Sequence, residues 1–168
     1  MKTYTYFILV LTALSSFSCG VTYSFTGVDN LNAETFQVNY FQNAANLVEP
    51  GFDRDFTLAL QELITNQTSL NLTTSNGDLV YEGEITEYRI SPTTAQANST
   101  AAQNRLSVSV NVRFFDKNNP DEEFEQRFSF FYDYAGSQLL QGSQKDTAHE
   151  AIFERLTQDI FNATLAKW

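Results

Sequence analysis

The chain has 168 residues, with 20 acidic and 10 basic side chains, a formal net charge of −10, one cysteine and one histidine. So acidic a chain is repelled by nucleic acid and by anionic headgroups, which argues against DNA or RNA as a partner. A lone cysteine excludes an intramolecular disulfide, and a single histidine with no second thiol leaves no tetrahedral metal set.

Lys2 opens the chain, Tyr6 to Leu14 are apolar (YFILVLTAL), Ser15 and Ser16 turn small and polar, and Cys19 follows Phe17 and Ser18. That is the pattern of a signal peptide, and its apolar run is far short of the roughly 20 residues of a spanning helix. Cys19, directly behind a small residue, resembles the lipobox cysteine that is acylated and becomes the new N-terminus; Ser16 departs from the leucine usual there. Each buried acyl CH₂ contributes about 0.8 kcal/mol, so more than one chain holds a protein firmly on a membrane. The expected organisation is a signal peptide over 1–18, a lipidated cysteine and tether over 19–34, and a single domain over 35–168. Removing 1–18 takes Lys2 with it and leaves 9 basic against 20 acidic residues, or −11, on 150 residues. A chain of that size can bury about 68–70% of its unfolded surface in one domain. The residues after Cys19 (GVTYSF) carry no acidic run, so the expected anchor faces the periplasm.

In chain order, residues 35–41 (TFQVNYF) alternate Phe36, Val38 and Tyr40 against polar neighbours and predict a half-buried strand. Phe52, Phe56, Ala59, Leu60, Leu63 and Ile64 then share one helical stripe, with Pro50 before the helix, Asp53 and Asp55 in its first turn, and Asn66 to Ser69 ending it. In 79–90, Leu79, Tyr81, Gly83 and Ile85 face one way, and the apolar positions then shift to Tyr88 and Ile90, which predicts a bulge near Thr86. Residues 91–103 read as a polar loop. Leu106, Val108, Val110, Val112 and Phe114 alternate with Arg105, Ser107, Ser109, Asn111 and Arg113, the clearest strand in the chain. This parity puts Val110 at the centre of the core face and Ser109 outside, where an acidic side chain is expected to be tolerated. A turn over Asn118–Asp121 leads to a returning strand with Phe124, Gln126, Phe128, Phe130, Tyr132 and Tyr134 on one face. Centring that hairpin on Asn119 sets Arg113 opposite Glu125. Residues 144–166 form a second amphipathic helix through Ala148, Ile152, Leu156, Ile160 and Ala163, with Thr147 and Glu150 spaced as a capping box. The elements add up to an α+β two-layer sandwich: a four-stranded, mainly antiparallel sheet with two helices packed on one face.

The stretches VTYSFTG, VNYFQNAANLVEP, SNGDLVYEGEITEYRISPT, NRLSVSVNVRF, EFEQRFSFFYDY and QDIFNATLAKW, in that order and spacing, resemble the lipopolysaccharide-assembly lipoprotein family LptE, specifically its Bacteroidota branch. The resemblance covers most of residues 21–168. It implies two helices on a four-stranded sheet and a partnership with the LptD β-barrel in inserting lipopolysaccharide into the outer leaflet. The second reading is an adaptor of another envelope assembly, or a polysaccharide-binding module.

No HExxH, GxSxG, Walker A or GxGxxG pattern occurs, so no enzyme and no cofactor are expected. His149 reads as a solvated helix residue. Glu82 and Glu84 lie two apart on one strand face rather than opposed across a cleft, and read as partners of Arg105 or Arg127. Arg89, Arg105, Arg113, Arg127 and, beside them, Lys117 fall on or near the outer sheet face, where guanidinium groups could meet lipopolysaccharide phosphates. Thr93, Thr94, Gln96, Asn98 and Thr100, uncharged and polar, make the 91–103 loop the candidate barrel-docking element. Asn66, Asn71, Asn98 and Asn162 each open an N-x-S/T sequence, and Asp146-Thr147-Ala148 resembles an O-glycosylation acceptor, although capping is the expected role of Thr147.

Overall fold

The computed structural model describes residues 32–93, 103–136 and 140–166. Cys19 and the other residues of 1–31 lie outside that range. Six strands, β1 (Thr35–Val38), β2 (Gln42–Asn43), β3 (Asn71–Leu72), β4 (Leu79–Thr93), β5 (Gln103–Asp116) and β6 (Phe124–Ala135), join helices α1 (Phe52–Gln67) and α2 (Gly142–Thr164).

The sheet is mixed and larger than four antiparallel strands. Its order is β3-β1-β4-β5-β6, with β2 also on β4. β1, β2 and β3 pair in parallel, while β4, β5 and β6 form an antiparallel meander. The difference follows from α1: a helix between two neighbouring strands makes a crossover, and a crossover returns the chain parallel. The strand-helix-strand order carried that information, but strands as short as β2 and β3 carry no periodicity of their own.

Two irregularities set which residues reach the core. β1 ends at Val38, and between the pairs Val38↔Tyr81 and Gln42↔Glu84 the first strand advances four residues to β4's three. The extra residue reverses the parity, so Phe41 is fully buried and Tyr40, expected inside, is 53% exposed. Thr57 of α1 fixes the kink by accepting the Phe41 N–H at 3.2 Å. The second irregularity is the bulge at Thr86, where the β4–β5 register shifts between Ile85 and Glu87 as the sequence predicts.

α1 and α2 cover one face. Phe52, Phe56, Thr57, Leu60 and Ile64 of α1 and Ala148, Ile152, Leu156, Thr157, Ile160, Phe161 and Thr164 of α2 are buried against it. Each fully buried apolar side chain contributes about 1.5–3 kcal/mol, which makes this interface the main stabilising layer. α1 starts at Gly51, whose φ of 84° is the left-handed region where glycine carries no steric penalty. α2 begins at Gly142, earlier than expected, so Thr147 sits inside the helix and its hydroxyl donates to the Ser143 carbonyl at 2.9 Å. The expected capping box at Thr147 and Glu150 is therefore not formed.

The polar loop is also shorter than expected. β4 continues through Thr93 and β5 begins at Gln103, with Thr93 Oγ1 donating to the Gln103 carbonyl at 3.1 Å. Thr93 thus closes the ladder, and Thr94, Gln96, Asn98 and Thr100 lie outside the described residues.

Candidate functional site: the outer face of the sheet

The helices occupy one face of the sheet, so the alternate side chains of β4, β5 and β6 form an open face on the other side. Register arranges them in rows: Ser91–Arg105–Asp133, Arg89–Ser107–Phe131, Glu87–Ser109–Ser129, Glu84–Asn111–Arg127 and Glu82–Arg113–Glu125. All four candidate arginines are on this face, as the strand parity predicts. Lys117 lies just past β5 and donates to Asn76 Oδ1 at 2.9 Å.

Two of the arginines are brought together. Arg89 and Arg127 converge on the Glu87 carboxylate, each at 2.9 Å, and Ser109 Oγ donates to the same group at 3.1 Å. The Arg89 hydrogen bond, then Ser109 and the charge of both guanidiniums, hold the Glu87 carboxyl below its ordinary range. With Ser107, Ser129 and Phe131 they line a shallow hollow of about 220 Å³. Its local balance is two cations to one anion, in a chain that is otherwise strongly acidic. Arg105 stands apart: it grips Asp133 with two hydrogen bonds, 2.7 and 2.8 Å, and its guanidinium lies 3.7 Å over the Phe131 ring. That bond lowers the Asp133 pKa and raises the Arg105 one.

Arg113 does lie opposite Glu125, yet its ion pair is to Glu82 at 3.4 Å. Glu82 also accepts from Asn39 Nδ2 at 2.8 Å, and Glu84 is exposed. The partners expected for these glutamates, Arg105 and Arg127, instead hold Asp133 and Glu87. The sequence reading missed Glu87 and Phe131. Phe131 falls on the outward parity between Phe130 and Tyr132, a legible signal for an exposed aromatic, whereas Glu87 follows the bulge, where simple alternation breaks.

The opposite side of the molecule has different chemistry. A groove of about 510 Å³ runs between α1 and α2, lined by Asp55, Glu62, Asp146, Glu150 and Glu154 over Phe153. No cation lines it, so it repels phosphates. Among the described residues no group of three or more His, Cys, Asp and Glu side chains is placed to hold a metal ion. His149 is half-buried rather than solvated. Its Nε2 is 2.9 Å from the Tyr88 hydroxyl, and its ring lies 4.8 Å from that of Phe52. Burial lowers its pKa.

No described helix is long and apolar enough to cross a membrane. The fold is similar to that of a minor lipoprotein from Acinetobacter baumannii, with a TM-score of 0.52 at 14% identity, over 82% of this chain and 94% of that one. It is similar also to an uncharacterized lipoprotein B from Nitrosomonas europaea, with a TM-score of 0.51 at 15% identity, over 88% of this chain and 91% of that one. At such identities the likeness is one of fold. No curated protein matches the chain in sequence. A family model does: residues 33–164, which span every strand and helix described above, match LptE, lipopolysaccharide-assembly. The chain belongs to the LptE family and has its part in lipopolysaccharide assembly.

Proposed function

We propose that the chain is a non-enzymatic outer-membrane lipoprotein, anchored through Cys19 and facing the periplasm, that partners an LptD-type β-barrel in transporting and inserting lipopolysaccharide. The observation that carries this reading is the family match across the whole described domain. The branch we assign, that of Bacteroidota, rests on the order of the six stretches in the sequence. The test is isolation of the tagged native protein in mild detergent. A stoichiometric complex with a large barrel is expected; recovery of the lipoprotein alone, or with an unrelated envelope assembly, overturns the reading. Cys19→Ala is expected to leave the protein folded but to move it to the soluble periplasmic fraction and abolish labelling by fatty acid. Sedimentation of that variant with the outer membrane in cells lacking the barrel would remove Cys19 as the anchor.

The direct lipopolysaccharide contact belongs, in this reading, to Arg89 and Arg127, with Arg105 and Arg113 beside them. Exposed ion pairs contribute only about 0–1 kcal/mol, so Glu87 gives up its two guanidiniums to an incoming phosphate at little cost. Charge-assisted hydrogen bonds contribute about 1.5–3 kcal/mol each. Arg89→Ala combined with Arg127→Ala is therefore expected to weaken binding of purified lipopolysaccharide about tenfold or more, with the melting temperature nearly unchanged. Equal affinities in wild type and the double variant, measured at one salt concentration, would place the contact elsewhere.

The docking element we assign is the β4–β5 connection, with Thr93 at its base and Thr94, Gln96, Asn98 and Thr100 within it. Its lack of charge suits a wet lumen lined by polar side chains. Replacing 94–102 by a short Gly/Ser turn should scarcely change the melt, because loop length costs little. Barrel recovery and detergent resistance of the cells should fall. Wild-type capture by the shortened protein would show that the barrel is met by another surface.

A further inference from the structure

We propose that the polar hollow beside Tyr40, on the outer face where β2 meets β4, binds an uncharged sugar ring of the same lipopolysaccharide molecule whose phosphates Arg89 and Arg127 meet; the proposal rests on that reading of the outer face.

The kink after β1 builds the hollow. The extra residue that turns Phe41 into the core leaves Tyr40 outside, 53% exposed, beside Asn39 and Gln42. These three meet Glu82 and Glu84 of β4, with Asn111, Arg113 and Glu125 further along the rows, and enclose about 360 Å³. Small-molecule sites usually measure about 300–1,000 Å³.

The lining selects the ligand. Three carboxylates stand against one guanidinium, so a phosphate is repelled. A cation gains little either, because two of the three carboxylates are already engaged. Glu82 accepts from Asn39 Nδ2 at 2.8 Å and pairs with Arg113 at 3.4 Å, and Glu125 accepts from Asn111 Nδ2. What is left is neutral hydrogen bonding. Glu84 and Gln42 are exposed, and their side chains have no hydrogen bond or ion pair among the described residues. A carboxylate accepts through two oxygens and a carboxamide both donates and accepts. That set matches the adjacent hydroxyls of a sugar ring, each of them a donor and an acceptor. Tyr40 adds the apolar half of the recognition: a flat ring, electron-rich on its face, on which the C–H side of a pyranose can lie.

Register ties the hollow to the paired guanidiniums. Glu84, Asn111 and Arg127 form one row, and Glu87, Ser109 and Ser129 form the next. Successive outward positions on a strand are about 7 Å apart, so a sugar against Glu84 and a phosphate against Arg127 and Arg89 are neighbouring parts of one phosphorylated saccharide. The outer face then sorts its ligand by row, with anions at the guanidiniums and hydroxyls at the hollow.

The test is saturation-transfer NMR on the full chain, isolated in a detergent without a sugar headgroup. The probe is the oligosaccharide released from lipopolysaccharide by mild acid and stripped of phosphate. Its ring protons should receive saturation from the wild-type protein. Tyr40→Ala and Glu84→Ala should each weaken binding about fivefold or more, whereas Tyr40→Phe should bind as wild type does. All three variants should melt within a few degrees of wild type, because both side chains are exposed. No transfer to the oligosaccharide, or equal binding by wild type and both alanine variants, overturns the proposal. Stronger transfer to tetralysine than to the oligosaccharide would make the hollow a cation site and would overturn it as well. The probe carries neither phosphate nor acyl chain, so its failure leaves the phosphate contact and the barrel partnership standing.

Discussion

Val110→Asp is expected to abolish recovery of folded protein. Val110 is fully buried, lies between Ile85 and Phe128 in the register of the three long strands, and belongs to the layer that both helices cover. A lone carboxylate there would be set among the apolar side chains of the core. Its burial costs several kcal/mol in either protonation state, comparable with the roughly 5–15 kcal/mol that holds a whole domain folded. The control must carry the same substitution on the same strand with the opposite parity. Alternation alone selects Ser109, but the structure removes it: Ser109 is only 2% exposed, with Ser129 Oγ at 2.9 Å and the Glu87 carboxylate at 3.1 Å. An aspartate at 109 would be pressed against Glu87. Ser107, opposite Arg89 and less buried, is the proper control, and Ser107→Asp should be recovered at wild-type levels with a melt within a few degrees of wild type. Equal loss of soluble protein from Val110→Asp and Ser107→Asp would mean that the strand faces are misassigned.

Ser109 and Tyr40 show where periodicity stops being informative. The faces of β5 and β6, the stripes of both helices, the bulge at Thr86 and the cross-strand position of Arg113 were legible because each rests on local alternation over many residues. Tyr40 misled because one extra residue between β1 and β2 reverses the parity, and the adjacent aromatics Tyr40 and Phe41 fit either phase. Ser109 misled because outward is not the same as exposed: its neighbours Glu87 and Ser129, with the Arg127 chain reaching across to Glu87, cover a small side chain on a central strand. His149 was misjudged because a helix with a polar sequence around it gives no sign that Tyr88 and Phe52 approach from another layer. Such contacts are set by tertiary packing, and a single sequence does not carry them.

The candidate site follows the same division. Parity placed the four arginines on one face, but their partners came from register, and register depends on the bulge. Without the bulge, regular alternation through Thr86 would point Glu87 to the helical face and bury its carboxylate. With it, Glu87 emerges between Arg89 and Arg127. The bulge therefore serves the core, by turning Tyr88 inward, and the outer face, by creating its only cluster of two guanidiniums among the described residues.

Gly83→Ala is expected to be among the most damaging single-methyl changes in the domain. Gly83 lies mid-strand on the core face of β4, where its neighbours Tyr81 and Ile85 are fully buried. A Cβ at this position would stand 2.1 Å from the Asn111 carbonyl oxygen and 2.6 Å from Cε1 of Phe41. The ring is there because the kink after β1 turns Phe41 inward, and Thr57 holds its backbone against α1. Side-chain motion can relieve the second contact but not the first, which is backbone in the central β4–β5 ladder. Overpacking usually costs about 1–3 kcal/mol; a clash with fixed backbone should exceed that, to about 3 kcal/mol or more, seen as a lower urea midpoint with unchanged slope. Phe41→Ala alone should cost about 3–5 kcal/mol through the cavity it leaves. The double variant should lose less than the two single losses added together, because removing the ring clears one of the two clashes. Strict additivity would show that Phe41 and Gly83 are not in contact, and a wild-type midpoint for Gly83→Ala would show that β4 and β5 are not as closely apposed at this position as the fold requires.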